Sequence, residues 1–280
     1  MKLASFFFQN QARYGVVEGH NVQLASETIV KTYPCLTDFL SAHHPDELKA
    51  QCKTPVPLDA ITWRTPIPNP SKIICAGLNY QKPYPVEGVA PPEPKNVILF
   101  SRTRDSLIAH QDTLEYPRGE ASETFDFEGE IAVIIGKSGR YIKKSDAMAH
   151  VLGVSAMNEG SVRRWMKHSI HAGKNFHASG SWGPYIVTLD EAGPFENLRL
   201  ETRVNGQKMQ SARPTEMIFD LPYLISYIST ISPLNVGDVI ATGSPDGTGG
   251  SRRPPAFLRP NDVVEIDIKG LMTLQNVVGV

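Results

Sequence analysis

Short apolar segments separated by turn residues recur from about residue 70 onward and constrain the fold more than any other feature. They are KIICAG, NVILFSR, FDFEGEIAVIIG, HVLGVSAMN, PYIVTLD, LRLETRVNG, GDVIATG and DVVEIDIKG. Segments of this length between turn signals are typical of strands, and Asn205-Gly206 and Lys269-Gly270 predict hairpin turns. A chain of many strands and few helices favours a β-rich barrel or roll over a doubly wound sheet.

The first 65 residues predict a small α+β unit, with a strand at KLASFFF, a hairpin at YGVVEGHNVQL and a helix at HPDELKAQ. The proline-rich stretch 66–70 follows as an extended linker. We therefore predict a small N-terminal domain at residues 1–65 and a larger domain at 66–280. In the larger domain, residues 145–150, capped by Ser145, and residues 220–231 favour helices.

Composition narrows the class of protein. Hydrophobic residues make up 41% of the 280, charged residues 20%, and the formal net charge is −1, which argues against a nucleic-acid partner. No apolar run approaches the roughly 18 residues of a membrane span, and MKLASFFFQN lacks the apolar stretch of a secretory signal. The three cysteines form neither a disulfide framework nor a CxxC pair. We expect a cytoplasmic protein without a nucleic-acid or membrane partner.

The segment FDFEGEIAVIIG, residues 125–136, carries the most informative acids. Read as one strand, it projects Glu128 and Glu130 to the same side, with Asp126 in the same register. Two neighbouring carboxylates repel unless a cation lies between them, and hard oxygen ligands suit Mg²⁺, Mn²⁺ or Ca²⁺. The alternative is the solvated face of an amphipathic strand. The apolar run 131–135 favours a strand that enters a core with its acids at the entrance.

A third acid, Glu159, follows the apolar strand VSAM, and a basic run that contains Arg163, His168, His171 and Lys174 comes after it. Taken alone, this run indicates a surface helix and a solvated basic loop.

Seven motifs together resemble the fumarylacetoacetate hydrolase family in order and approximate spacing, over roughly residues 70–280. They are GLNY (77–80), FDFEGEIAVIIG (125–136), NEGSVR (158–163), GKNF (173–176), WGPYIVT (182–188), TEMIF (215–219) and GDVIATGSPDG (237–247). The resemblance implies a β-rich α+β fold, a mixed β-sandwich roll with a small N-terminal domain, and a homodimer. It also implies a divalent metal, Mg²⁺ or Mn²⁺ with Ca²⁺ as a further option, held by three acids.

Matched position by position, the resemblance assigns the metal to Glu128, Glu130 and Glu159, which we call the acidic triad. The family commonly has Asp at the third position, so Glu159 reaches one methylene further. Three carboxylates leave coordination positions for water and for a bidentate substrate.

The remaining site residues follow from the same resemblance. Lys174 would stabilise an enolate oxyanion, and Arg163 would bind a substrate carboxylate. Tyr80 and Thr242 would contact the substrate. For Lys174 and Arg163 the alternative is a solvated basic face.

The implied activity is hydrolysis of a C–C bond in a small acidic substrate, an acylpyruvate such as maleylpyruvate or fumarylpyruvate from aromatic-compound breakdown. Many family hydrolases activate water with His and, three residues later, Glu on the loop after NY. Here Pro83 occupies the His position and Glu87 lies one place beyond the expected Glu.

Three explanations stay open. Another base could serve, namely His168, His171, Glu87 or Tyr84. Metal-bound water could need only a weak base. Or the enzyme could be a decarboxylase, isomerase or lyase that acts through the same enolate.

Two further expectations concern a lid loop and the possibility of an inactive relative. The proline-rich loop 86–95 is expected to act as a lid. An inactive relative that serves as a binding protein would have lost its metal ligands, and the retained acids, Lys174 and the glycine-rich loop 243–250 argue against it. That loop lacks the pattern of a phosphate-binding P-loop.

Overall fold

A computed structural model describes residues 1–81 and 93–280, and in this part the chain forms nineteen strands and six α-helices. The first nine strands are β1 (Lys2–Phe8), β2 (Gln11–Glu18), β3 (Asn21–Ala25), β4 (Cys52–Pro57), β5 (Thr62–Trp63), β6 (Ile73–Gly77), β7 (Ile98–Ser101), β8 (Leu107–Ile108) and β9 (Thr113–Leu114). The others are β10 (Phe125–Asp126), β11 (Gly129–Ile135), β12 (Val151–Asn158), β13 (Ser161–Val162), β14 (Gly180–Thr188), β15 (Leu200–Val204), β16 (Gln207–Ala212), β17 (Val239–Ala241), β18 (Val263–Ile268) and β19 (Met272–Val278).

The α-helices are α1 (Glu27–Thr32), α2 (Leu36–Ala42), α3 (Pro45–Gln51), α4 (Ile170–Lys174), α5 (Leu189–Ala192) and α6 (Leu221–Ile231). Short 3₁₀ turns connect them at Leu58–Ala60, Arg104–Ser106, Gly119–Thr124, Lys144–His150, Trp165–Lys167, Phe195–Asn197, Pro214–Glu216 and Gly249–Ser251. None of the helices in the described ranges is long and apolar enough to cross a membrane.

Two main sheets organise these strands. The larger has twelve strands in the order β4-β3-β2-β1-β14-β12-β11-β17-β6-β7, with β5 paired to β1 and β8 to β14. The smaller has five strands in the order β16-β15-β18-β19-β9. Most pairs are antiparallel, whereas β6–β17, β8–β14 and β9–β19 are parallel. This mixed, β-rich α+β architecture confirms the predicted fold class.

Strand β11 lies at the centre because both of its faces are buried. Ile131 and Val133 belong to a core shared with β18, β19 and α6. Ala132 and Ile134, which point the other way, belong to a second core shared with β1 and α2. A strand buried on both faces needs a continuous apolar run rather than an alternating one, which explains the sequence of residues 131–135.

The first 65 residues are joined to the rest through β1. Lys2 and Leu3 pair with Val187 and Ile186 of β14, and Leu36 of α2 packs in the same core as Ile134. One sheet and one core thus continue across the linker. The boundary between residues 65 and 66 stays a prediction.

Local signals in the sequence predicted some elements and missed others. Helix α3 begins at Pro45 after a His44 cap, and Asp220 caps α6 through Tyr223 N–H. Both helices were predicted. The Ser145 cap is wrong, because the 3₁₀ turn starts one residue earlier and the Ser145 hydroxyl donates to its neighbour Asp146.

A largely buried histidine joins the two parts of the chain. The ring of His110 lies 5.7 Å from that of Trp63 in β5, and its Nδ1 accepts a hydrogen bond of 3.0 Å from the Gln275 N–H in β19. Burial lowers the pKa of His110 to about 4 from the ordinary 6.5. Protonation would remove the acceptor, so the ring is held neutral.

We therefore expect stability to fall as the pH is lowered through this window. Between pH 6.5 and about 4 the unfolded chain binds a proton at His110 that the folded chain does not, so acid favours unfolding. In His110→Asn, whose amide oxygen can replace the Nδ1 acceptor, this part of the pH dependence should disappear. Urea unfolding of both proteins between pH 4 and 8 measures it, and parallel curves would contradict the assignment.

Candidate metal centre and active site

The ends of two paired strands bring the acids together. In β11–β12, Gly129 lies opposite Asn158, so the residues just before β11 meet those just after β12. Glu159 N–H donates to the Glu128 carbonyl at 2.7 Å, and Glu128 N–H donates to Asn158 Oδ1 at 3.1 Å. A side chain at Gly129 would place its Cβ 1.9 Å from Thr202 Oγ1. Glycine between the two acids is therefore a packing requirement.

The prediction of one continuous strand over residues 125–136 is wrong. Phe125 and Asp126 form β10, which pairs with β13 in a separate two-stranded sheet. The chain re-enters the large sheet only at Gly129. Glu128 and Glu130 nevertheless converge, because the break falls before the first of them.

The acidic triad forms a compact oxygen-donor set. Each of Glu128, Glu130 and Glu159 offers a carboxylate oxygen within 4.8 Å of the others, and all three residues are buried. Glu159 Oε1 is buried without a hydrogen-bond partner in the described part of the chain. Hard, anionic donors and an unsatisfied buried oxygen fit a divalent cation such as Mg²⁺ or Mn²⁺.

Three cations balance the triad, and the first is Lys174. This residue ends α4 and is 3% exposed. Its Nζ donates to Glu128 Oε1 at 2.6 Å and to Glu159 Oε2 at 2.8 Å. Burial disfavours the charged ammonium and by itself would lower the pKa of Lys174. The charges of Glu128 and Glu159 outweigh this effect and raise the pKa. Lys174 is therefore a cation at neutral pH.

The pKa values of the paired acids move in opposite directions. Burial opposes ionisation of Glu128, but Arg163 and Lys174 lower its pKa to about 2. Glu130 lacks such a partner: burial, then the charges of Glu159 and Glu128, raise its pKa well above the ordinary value. Glu130 is thus the triad member whose ionised form most requires a further positive charge.

Arg163, the second cation, is held by Asp126. Its Nε donates to Asp126 Oδ2 at 2.7 Å and its Nη1 lies 2.8 Å from Glu128 Oε1, whereas Nη2 is buried without a partner in the described residues. Asp126 also accepts the N–H groups of Gly249 and Gly250 at 2.7 and 2.9 Å. One carboxylate therefore fixes both the guanidinium and the glycine-rich loop.

These groups line a cavity of about 510 Å³. All three triad members, Arg163, Lys174 and Tyr80 contribute to its wall. The Tyr80 hydroxyl is buried with no hydrogen-bond partner among the described residues, and burial raises its pKa. The phenol stays neutral and can donate. Six of the site residues predicted from the sequence therefore line one cavity.

Other predicted site residues lie elsewhere. Thr242 is fully buried, and its hydroxyl donates to the Ile131 carbonyl at 3.0 Å, so it supports β11 instead of lining the cavity. His168 and His171 are exposed and do not belong to the described cavity lining. Glu87 and Tyr84 lie outside the described residues, as does most of the expected lid at 86–95.

Two residues that the sequence reasoning did not single out support the site. Arg102, the third cation, is 4% exposed, donates to Ser106, Gly160 and Ser179, and lies 4.0 Å from Glu159 Oε1. Asn79, fully buried, donates to the carbonyls of Thr242 and Phe219 at 2.8 and 3.0 Å and accepts from Phe219 N–H. Two features of the sequence could have pointed to them: Arg102 comes directly after an apolar strand, and Asn79 lies inside the GLNY motif.

A buried acidic triad, a buried lysine and an unpaired guanidinium nitrogen around one cavity define a candidate enzyme centre for a small anionic ligand. Comparison with known proteins gives the family. The sequence model for the fumarylacetoacetate (FAA) hydrolase C-terminal domain matches residues 72–279. The chain belongs to the fumarylacetoacetate hydrolase family.

Two relatives are named oxaloacetate tautomerases. The mitochondrial oxaloacetate tautomerase FAHD2A of Bos taurus is 37% identical over 225 residues, which are 79% of this chain and 70% of that protein. Oxaloacetate tautomerase YisK of Bacillus subtilis is also 37% identical, over 79% of this chain and 74% of its own.

Solved structures show the same fold over the whole chain. Fumarylacetoacetate hydrolase from Exiguobacterium antarcticum superposes with a TM-score of 0.85 at 29% identity and covers 100% of this chain and 99% of its own. Maleylpyruvate hydrolase from Sphingobium, solved with manganese(II) and pyruvate, superposes with a TM-score of 0.81 at 23% identity, covering 100% and 99%. At that identity the second likeness shows the fold alone.

The Asp126–Arg163 pair should contribute strongly to stability. Asp126→Asn cannot accept Arg163 and both glycine N–H groups together, and it leaves the Nε of Arg163 without its carboxylate, although Nη1 keeps Glu128. We expect the free energy of unfolding to fall by about 3 kcal/mol, measured by urea denaturation. Glu123→Gln, which breaks an exposed 3.3 Å pair with Arg164, is the matched control and should cost less than about 1 kcal/mol. Equal losses would contradict the role of Asp126.

Removing one negative charge from the triad should weaken metal binding strongly. Glu130→Gln keeps the side-chain volume and the acceptor for the Gly243 N–H at 2.9 Å, so the fold should persist. We expect the affinity for Mn²⁺, measured by titration calorimetry, to fall at least about a hundredfold. Glu123→Gln again serves as the control. Unchanged Mn²⁺ affinity in Glu130→Gln would remove the triad as the metal site.

Proposed function

We propose that this protein is a divalent-metal-dependent tautomerase that interconverts the enol and keto forms of a small 2-oxo acid of the oxaloacetate type. The observation that carries the proposal is the convergence, at one cavity, of the acidic triad with Lys174 and the unpaired Arg163 nitrogen. Support comes from relatives named oxaloacetate tautomerases at 37% identity.

Glu128, Glu130 and Glu159 would hold the metal, Mg²⁺ or Mn²⁺, because all three are hard oxygen donors. A divalent cation held there supplies a Lewis acid that polarises the 2-oxo group.

Tautomerisation moves one proton. In the direction from enol to keto, the enol O–H bond breaks and a C–H bond forms at the neighbouring carbon, without water or any change of oxidation state. Lys174 is suited to donate a hydrogen bond to the oxygen that loses its proton in this reaction. An ammonium has three N–H donors, and two of them donate to Glu128 and Glu159. The third remains for an enolate oxygen.

Arg163 and Tyr80 would orient the substrate. The Arg163 Nη2 is buried and unpaired among the described residues, and a guanidinium N–H group binds carboxylates well. The Tyr80 hydroxyl likewise lacks a partner there and stays protonated, so it can donate to a substrate oxygen. A buried donor without an acceptor is costly unless a ligand satisfies it.

The charge of the centre favours an anionic substrate. With all four acids ionised, Asp126 and the three triad members would carry four negative charges, against three positive charges on Arg102, Arg163 and Lys174. A bound divalent cation would turn this deficit into one excess positive charge. A 2-oxo carboxylate would then be attracted to the site.

Hydrolysis of a C–C bond in an acylpyruvate is the second candidate, and the fumarylacetoacetate hydrolase of Exiguobacterium antarcticum, 29% identical, favours it. Hydrolysis needs an activated water. The described lining of the cavity contains no histidine, and Pro83 stands at the position where hydrolases of the family carry one. Tautomerisation needs no water, so we place it first.

One assay separates the two reactions. The loss of enol oxaloacetate is followed by its ultraviolet absorbance. Hydrolysis of a panel of acylpyruvates is followed by coupled detection of released pyruvate. Both assays are run after metal chelation and again after Mg²⁺ or Mn²⁺ is restored. Metal-dependent loss of the enol without pyruvate release supports the tautomerase. Rapid pyruvate release from an acylpyruvate, with no acceleration of enol loss, would replace it with the hydrolase.

Lys174→Met tests the proposed donor. We expect kcat for enol oxaloacetate to fall by about 10²–10³, because one oxyanion donor is lost, while the KM changes less. Lys269→Met, which removes an exposed lysine 2.6 Å from Asp267, is the matched control and should retain normal kcat. Near-normal kcat in Lys174→Met would argue against this role.

Three further expectations from the sequence are carried as proposals. We propose a cytoplasmic location, a homodimer, and the absence of nucleic-acid and membrane partners. Sedimentation velocity tests the dimer directly.

A further inference from the structure

We infer that the cavity contains an apolar subsite, formed by Leu78, Ile98, Phe100, Met166, Ile170 and Ile218, that binds an apolar substituent of the 2-oxo acid. This inference rests on the proposed function, because it specifies which 2-oxo acids the same site accepts. It predicts a substrate with an alkyl or aryl arm in place of the second carboxylate of oxaloacetate.

The apolar wall begins beside the reacting groups. The ring centroid of Phe100 lies 5.3 Å from Lys174 Nζ. Ile98 is two residues away on β7, so both side chains face the same side of the strand. Gly77 on the neighbouring strand lacks a side chain there: a Cβ would lie 3.5 Å from both Ile98 and Phe100. The wall is therefore continuous with the catalytic groups.

Met166 and Ile170 continue the wall near Arg163. The Met166 sulfur lies 4.0 Å from Arg163 Nη1, and Met166 packs over Gly173, where a Cβ would lie 2.2 Å from its Cγ. Ile170 lines the cavity and is still 37% exposed. Apolar surface at this edge is thus left open to a ligand.

Leu78 gives the most specific signal. Its backbone has a φ of +52°, a left-handed conformation that costs a leucine about 1–2 kcal/mol. The residue is 59% exposed and lines the cavity. Strain of this kind concentrates at functional sites. A strained, exposed leucine at the cavity wall is explained if its side chain contacts a bound apolar group.

Size and charge point to the same class of ligand. A cavity of about 510 Å³ lies within the range of roughly 300–1,000 Å³ that holds drug-sized ligands, and a four-carbon diacid fills only part of it. Among the described lining residues the cations are Lys174 and Arg163, and both already contact Glu128. A distal carboxylate would find no further cation in this part of the wall.

A series of N-alkyl oxamates tests the subsite without turnover. These compounds keep the 2-oxo acid group and carry methyl to hexyl arms. Calorimetric titration of the Mn²⁺-loaded protein measures affinity against chain length. We expect affinity to rise about fourfold for each methylene that enters the subsite. No rise with chain length would overturn the inference.

Substitution at Leu78 locates the effect. Leu78→Asn keeps a similar size and tolerates positive φ, so it should fold, and it should reduce the gain per methylene to less than about twofold. Ile98→Thr, which keeps the branched shape, should also reduce the gain. Tyr141→Asn is the matched control, because Tyr141 has a φ of +54° and is 65% exposed but does not line the cavity. An undiminished gain in both Leu78→Asn and Ile98→Thr would overturn the assignment of the wall.

Two further measurements distinguish the apolar subsite from a dimer contact and from a failure of the proposed reaction. Sedimentation velocity on Leu78→Asn shows whether the exposed leucine holds two copies of the chain together, and loss of a dimer would overturn the subsite. Turnover of enol oxaloacetate is measured in parallel. Failure of that turnover with a persistent chain-length gain overturns the proposed reaction and supports the subsite, whereas turnover without the gain overturns the subsite alone.

Discussion

Burial of four carboxylates in one place is the constraint on which the rest of this structure depends. Asp126 and the acidic triad would lose several kcal/mol of hydration each, and only charge pairing can compensate for that loss. Arg102, Arg163 and Lys174 supply the compensation, each through short contacts to these acids or their neighbours. The three cations lie directly after β7, after β13 and at the end of α4. These segments are therefore tied to the segments that carry the acids. The candidate site and the fold thus stabilise each other.

The sheet places these charges because β11 is sandwiched between two cores. Side chains that alternate along β11 pack against β18 and α6 on one side and against the N-terminal strands and helices on the other. A one-residue slip would exchange these faces and move Glu130 out of the centre. Residues 1–65 thus contribute no side chain to the described cavity lining, but they supply part of the core that packs against one face of β11.

Much of this could be predicted from the sequence, for identifiable reasons. Short apolar segments between turn signals predicted a β-rich fold, and the E-x-E spacing predicted that Glu128 and Glu130 converge, because side-chain period is a local property. Glu159 was assigned to the triad only through the resemblance to the family. The role of Thr242 could not be seen: its hydroxyl was expected at the substrate, but it donates to β11. Asp126 was expected beside the two acids, but its contacts with Arg163 and the glycine-rich loop could not be predicted, nor could the place of Arg102, since these contacts join residues far apart in the chain. The local sequence pattern predicts which face of a strand a residue occupies, but not which distant residues pack against that face.

The pairing of β1 with β14 has a consequence for how the protein is made. Leu3 lies opposite Ile186, so the two halves of this ladder are separated by most of the polypeptide. At synthesis rates of about 5–20 residues per second, β1 is made roughly 10 s or more before its partner. The β1–β2 hairpin, whose register runs from Lys2↔Val17 to Phe8↔Gln11, can form at once and satisfy one edge. On the other edge, β5 can pair early with Phe6 and Phe7, whereas Lys2 and Leu3 stay unpaired on that edge until β14 is made. Non-local ladders form slowly and leave such edges prone to aggregate. Cooler growth and chaperone supply should therefore raise the yield of folded enzyme more than they would for a chain built of local contacts.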